Sequence, residues 1–153
     1  MRRLLSGTCT ILFVLCSGCT DGAAPDNATD FRARSVTLPD GTAIKAEVMT
    51  EPADMARGMM FRDSLQEGRG MLFIHPASSK YAYWMFQTKV PLDIIWMDVR
   101  GKVVEISENT PPCKTVASQC VNYGGTVESS VVLELPGGQG RKHGVRVGEL
   151  IRF

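Results

Sequence analysis

The chain has 153 residues, 44% of them hydrophobic and 22% charged, with 17 Lys and Arg against 16 Asp and Glu for a formal net charge of +1. That length holds one domain with a sizeable core and not two, and the composition excludes disorder along the whole chain. A near-neutral balance offers no electrostatic case for nucleic acid, and no nucleophile motif, metal-ligand set or phosphate loop is present to imply a cofactor.

The N-terminus reads as an export signal over residues 1–18: Arg2 and Arg3, an apolar run centred on Ile11–Leu15, then Ser17 and Gly18 ahead of Cys19. The run is shorter than the roughly 20 residues of a membrane span. Removing this segment takes two arginines from the 17 basic residues and leaves 15 against 16 acidic, a charge of −1. Leu15-Cys16-Ser17-Gly18-Cys19 resembles the lipobox of bacterial lipoproteins, although Leu15 falls one place early and Cys16 stands where an aliphatic residue is usual. The resemblance implies lipidation at Cys19 and a periplasm-facing, lipid-anchored protein of the bacterial envelope. Thr20 in place of Asp after the cysteine, by likeness to the sorting rule of enteric bacteria, points to the outer membrane rather than the inner.

Cysteine usage agrees with that address. Cys9 and Cys16 leave with the signal, Cys19 carries lipid, and Cys113 and Cys120 remain as a pair. In an oxidising compartment they are expected to close a loop of about 8 residues, worth roughly 2.5 kcal/mol on the chain-entropy argument. Their spacing is not the C-x-x-C of redox or zinc sites.

Residues 19–30 are small, polar and without periodicity, which suits a tether, so the domain is expected over 31–153. Val36 and Leu38, the turn Pro39–Thr42, and Ile44, Ala46 and Val48 alternating with Lys45 and Glu47 predict a hairpin with one wet face. One short helix is predicted near 51–58, with Thr50 as N-cap, Pro52 in the first turn and an apolar stripe of Ala53, Ala56 and Met60. Arg57 and Arg62 bracket its end, either as solvated or salt-bridged surface residues or as a fixed guanidinium opposite Asp93.

Residues 70–98 hold both tryptophans and two of the three tyrosines. Three short apolar runs, Gly70–Ile74, Tyr81–Met85 and Leu92–Met97, bounded by Pro, Ser or Gly, predict strands. In the third, Leu92, Ile94 and Trp96 face one way and Asp93, Ile95 and Met97 the other, so it should be covered on both sides. Asp93 among such neighbours must be paired, hydrogen-bonded or protonated. It reads first as a structural acceptor of backbone N–H groups and second as an acid or base in a pocket.

After the turn at 99–102, Val103–Ile106 runs back as a hairpin, and a long loop over 107–126 carries Pro111, Pro112 and both cysteines, pinned by their disulfide. Val127–Leu135 predicts a strand in which Glu134 sits among apolar residues much as Asp93 does. Gly137, Gly138 and Gly140 interrupt the chain before a terminal strand ending at Phe153. The expected fold is mainly β with an α+β character, a single sandwich-like or barrel-like sheet domain with one short helix.

Taken in order, Arg57-Gly58-Met59-Met60-Phe61-Arg62, Gly70-Met71-Leu72-Phe73, Trp84-Met85, Thr88, Pro91-Leu92-Asp93-Ile94-Ile95, Pro112-Cys113, Cys120, Val132-Leu133-Glu134 and Val147-Gly148 resemble the domain of unknown function 192 family. The likeness runs from about Ser35 to Phe153 and implies a compact, mostly β domain of a small exported or membrane-tethered prokaryotic protein, with no settled activity. Two departures stand out. The family's Trp-Met-Lys-Asn-Thr is here Trp84-Met85-Phe86-Gln87-Thr88, and the glycines at 137, 138 and 140 weaken the short helix the family carries before its last strand.

Three functions compete. The first is a non-catalytic envelope module that binds a small molecule, glycan or protein partner through Arg57, Arg62, Trp84, Thr88, Asp93 and Glu134. The second is a hydrolase with Asp93 and Glu134 as a carboxylate pair, which requires the two within about 5–10 Å of each other. The third is handling of a soft metal such as copper by some of the 8 methionines, against their ordinary role as core filler.

Overall fold

The computed structural model describes residues 32–153. The signal segment, Cys19, the tether and Phe31 lie outside the described residues. The elements are β1 (Ala33–Thr37), β2 (Ala43–Met49), α1 (Pro52–Arg57), β3 (Arg69–Ser79), β4 (Tyr83–Trp84), β5 (Leu92–Met97), β6 (Val103–Thr110), a 3-10 turn (Ala117–Gln119), β7 (Asn122–Tyr123), β8 (Ser129–Pro136) and α2 (Gln139–Lys142). Six strands form one sheet in the order β1-β2-β3-β8-β5-β6, and β4 and β7 form a small ribbon. The mainly β, single-domain reading holds.

All sheet pairings are antiparallel except β2 with β3. A parallel pair needs a crossover, and α1 with the polar loop after it supplies one. The helix is short and its N-cap is Glu51, not Thr50, without a side-chain capping bond. Packing of Met55 and Met59 on the sheet therefore holds it in place.

The sheet is buried on both faces. On one, Leu72, Ile95, Met97, Leu133 and Leu135 pack with Val36, Ile44 and Ala46 beneath Val145 and Ile151. On the other, Met71, Phe73, Ile94, Trp96 and Val132 pack beneath α1, Tyr83, Met85 and Cys113. Every residue of β5 is buried, as its two apolar faces require.

The C-terminal segment does not form the expected strand. It crosses from the β5–β6 turn to β1, meeting each in a single bridge, Lys102 with Leu150 and Thr37 with Arg152, and so never runs beside one strand long enough to build a ladder. A helix does form after β8 despite its glycines, and Gly140 is the reason it fits: a Cβ there would lie 3.1 Å from Oδ2 of Asp93. Among the described residues no helix is long and apolar enough to cross a membrane.

Candidate functional site

Asp93 lies on the face shared with Leu135, its cross-strand partner. Its Oδ1 accepts the backbone N–H groups of Asn109 at 2.6 Å and Gly138 at 3.0 Å, and its Oδ2 accepts that of Gly140 at 2.7 Å. The carboxylate thus satisfies three backbone donors, of which that of Gly140 is buried, and ties the end of β6 and the start of α2 to β5. This is the structural reading of Asp93; among the described residues neither Arg57 nor Arg62 pairs with it, and the guanidinium whose charge reaches it is that of exposed Arg141, which is bonded to Glu108.

Glu134 pairs across the sheet with Met71 and Ile94 and so belongs to the opposite face. The sheet separates the two carboxyls, and the hydrolase reading built on their pairing is corrected: side chains of strand neighbours one residue out of step point to opposite sides. Glu134 is 5% exposed, and its Oε2 has no hydrogen-bond partner among the described residues. Burial drives its pKa up from 4.5 to about 8, against a smaller lowering by Arg62. It therefore carries its proton at neutral pH and can donate a hydrogen bond.

Above Glu134 is a recess of about 40 Å³. Met55, Arg57, Met59 and Met60 line it from the helix side, Phe73 from β3, and Tyr83, Trp84, Phe86 and Thr88 from the strap formed by β4 and the residues after it. Of the residues singled out in the sequence, Arg57, Trp84, Thr88 and Glu134 come together here, Arg62 stands beside them, and Asp93 does not join. Thr88 is buried and Trp84 is 40% exposed, its ring tilted at 42° to Phe86 with centroids 5.3 Å apart.

Backbone bonds position the strap from both sides. Phe61 N–H donates to Gln87 O at 3.0 Å, and Cys113 N–H donates to Met85 O at 3.1 Å. Gln87 takes φ +56° and Phe61 φ +66°, in the left-handed region. An Asn at position 87, as in the pattern the chain resembles, suits that left-handed backbone better than Gln does. The Cys113–Cys120 disulfide forms as expected, with Cα atoms 5.7 Å apart, and closes the loop that covers the strap. Gly124 of the same cover lies so close to the Trp96 ring that a Cβ would come within 2.3 Å of it.

Tyr83 was not legible as a site residue. Its ring meets Phe73 and Trp96 edge-on, and its hydroxyl shares a 3.1 Å hydrogen bond with Nε2 of His75, which stacks on Tyr81. Burial, then the nearness of Glu134, pushes the phenol pKa upward, while burial lowers that of His75. The one local signal was an aromatic residue before Trp84 on a strand.

A neighbouring recess of about 140 Å³ is lined by Glu47, Arg62 and Arg69, but Arg62 is already engaged there, donating to Glu47 at 2.6 and 3.2 Å. Arg57 makes no ion pair with any described residue, whereas nearby Arg32 binds Asp54. Three methionines line the Glu134 recess. Among the described residues no group of three or more His, Cys, Asp or Glu side chains is placed to hold a metal ion.

The chain is similar to a protein of unknown function from Novosphingobium aromaticivorans, 27% identical over 79% of this chain and 84% of that one, with a TM-score of 0.67. It also shares its fold with a candidate transcription regulator from Sinorhizobium meliloti, 24% identical over 77% of this chain and 89% of that one, with a TM-score of 0.66. No curated protein matches it. The profile of domain of unknown function 192, described as an uncharacterized ACR, matches residues 35–153, and the chain belongs to that family.

Proposed function

We propose that this protein is a non-catalytic binding module of the bacterial cell envelope, anchored through lipid on Cys19 and taking a ligand in the Glu134 recess. The observation that carries the reading is a protonated, buried carboxyl with an oxygen that has no partner among the described residues, beneath an aromatic rim. A buried oxygen without a hydrogen-bond partner costs about 1–3 kcal/mol, and a ligand group that bonds it recovers that cost. The carboxyl lacks a catalytic carboxylate partner in Asp93, whose oxygens are engaged elsewhere. The disulfide supports an oxidising address, and Thr20 supports delivery to the outer membrane. A glycan, a small molecule or the end of a partner protein fits a recess of this kind, and nucleic acid does not fit the charge balance.

Methyl-labelled methionine is the natural reporter. Envelope extract added to the full chain should shift the methyl signals of Met55, Met59 and Met60 and leave that of Met97, on the other face, in place. Shifts at Met97 alone, or none, would reject the recess as the binding site. For the address, labelled palmitate should attach to the wild type and not to Cys19→Ala. The three recess methionines also favour, as a second reading, capture of Cu(I) by thioethers. A Cu(I) titration that leaves those three signals unmoved removes it.

A further inference from the structure

The structure assigns the Glu134 recess a ligand class: we infer that it receives the carboxylate head of a small organic acid, with Arg57 supplying the balancing charge and Trp84 and Phe86 a platform for the body. This rests on the reading of the recess as a ligand site. Four observations converge on it. Oε2 of Glu134 is buried and unpartnered among the described residues. Arg57 lines the same recess and makes no ion pair with a described residue, while Arg62 is held by Glu47 and Arg32 by Asp54. The space of about 40 Å³ suits a head group and not a whole molecule. The rim beyond it is aromatic, with Trp84 40% exposed.

The chemistry is that of two carboxyls sharing one proton. The O–H of Glu134 donates to the incoming carboxylate in a charge-assisted bond, and the guanidinium of Arg57 neutralises the pair. No covalent bond forms or breaks. Ionised Glu134 would instead repel the ligand, so binding requires the proton, which burial retains up to about pH 8. The charged and titratable groups about the recess are Arg57 at the end of α1, which lines it, Arg62 in the loop after α1, whose charge acts on Glu134, and Tyr83 on β4, while β3 and β5 present Met71 and Ile94. His75 reaches the site only through the Tyr83 hydroxyl, and with its pKa lowered from 6.5 it is neutral between pH 7 and 9. Over that interval Glu134 is the group that changes charge.

The test is titration of the full chain with N-acetylphenylalanine, its primary amide and glucuronate at pH 7 and pH 9, followed by the methionine methyl signals. At least one acid should bind at pH 7 and shift Met55, Met59 and Met60, and the tighter of the two distinguishes a peptide end from an acidic sugar as the source. Its affinity should fall about tenfold by pH 9, the loss of the protonated fraction. The amide should bind at least tenfold more weakly than its acid. Glu134→Gln should retain binding and lose the pH dependence, and Arg57→Ala should weaken binding about tenfold. Equal binding of acid and amide, a flat pH profile in the wild type, or no binding of either acid overturns the carboxylate assignment. Envelope extract that still moves the three methyls in that case leaves the recess standing as a site for another chemistry, whereas an inert extract rejects both.

Discussion

Glu134 makes the stability of this domain depend on pH in a direction opposite to that of an ion-paired carboxylate. Its pKa rises from 4.5 in the unfolded chain to about 8 in the fold. Below pH 4.5 both states hold the proton and the group has no effect. Between those values the folded chain keeps a proton that the unfolded chain has released, so stability falls by about 1.4 kcal/mol per pH unit. The loss reaches about 3 kcal/mol at pH 7 and levels off above about pH 8. Glu134→Gln removes the titration while keeping a side chain of nearly the same shape. Urea unfolding followed by tryptophan fluorescence at pH 5, 6, 7 and 8 should show the variant gaining steadily on the wild type, by about 3 kcal/mol over the series. Taking the difference between the two proteins cancels His75, whose lowered pKa acts in the opposite sense in both. A difference that stays constant within about 0.5 kcal/mol from pH 5 to pH 8 would refute a buried, protonated Glu134.

Asp93→Asn keeps the shape but leaves a single oxygen for three N–H donors, and should cost about 3 kcal/mol in urea unfolding without changing ligand shifts at the recess on the other face. A loss under about 1 kcal/mol would contradict the acceptor role. Gly124→Ala, with its Cβ driven toward the Trp96 ring at a φ of +63°, should destabilise by about 2–3 kcal/mol and alter Trp96 fluorescence. Gln87→Gly should stabilise by about 1 kcal/mol, because φ +56° strains a residue with a Cβ; a neutral or destabilising result in thermal unfolding would argue against a left-handed turn there.

Much of the architecture was legible because it rests on local rules. The alternation of Val36, Leu38, Ile44 and Ala46 about the turn at 39–42 predicts the β1–β2 hairpin, and the doubly apolar run Leu92–Met97 predicts a strand buried on both faces. The disulfide followed from counting cysteines. The terminal strand that does not form and the α2 helix that does depart from the sequence expectation for one shared reason. Whether Val147–Phe153 pairs along a strand or only crosses two, and whether glycines break a helix or admit a carboxylate against it, depend on what lies opposite.

What the sequence alone determined is the set of side chains that must be buried, the family, and the two carboxyls that need an explanation there. Their roles were decided by the fold. Asp93 and Glu134 look equivalent along the chain, each an acid inside an apolar strand. The register of β5 against β8 sets Leu135, not Glu134, beside Asp93, so one acid meets three backbone donors and the other turns to a recess where its Oε2 has no partner among the described residues. Strand pairing between residues some 40 apart has no local signature, because it depends on how the faces of the whole sheet are covered.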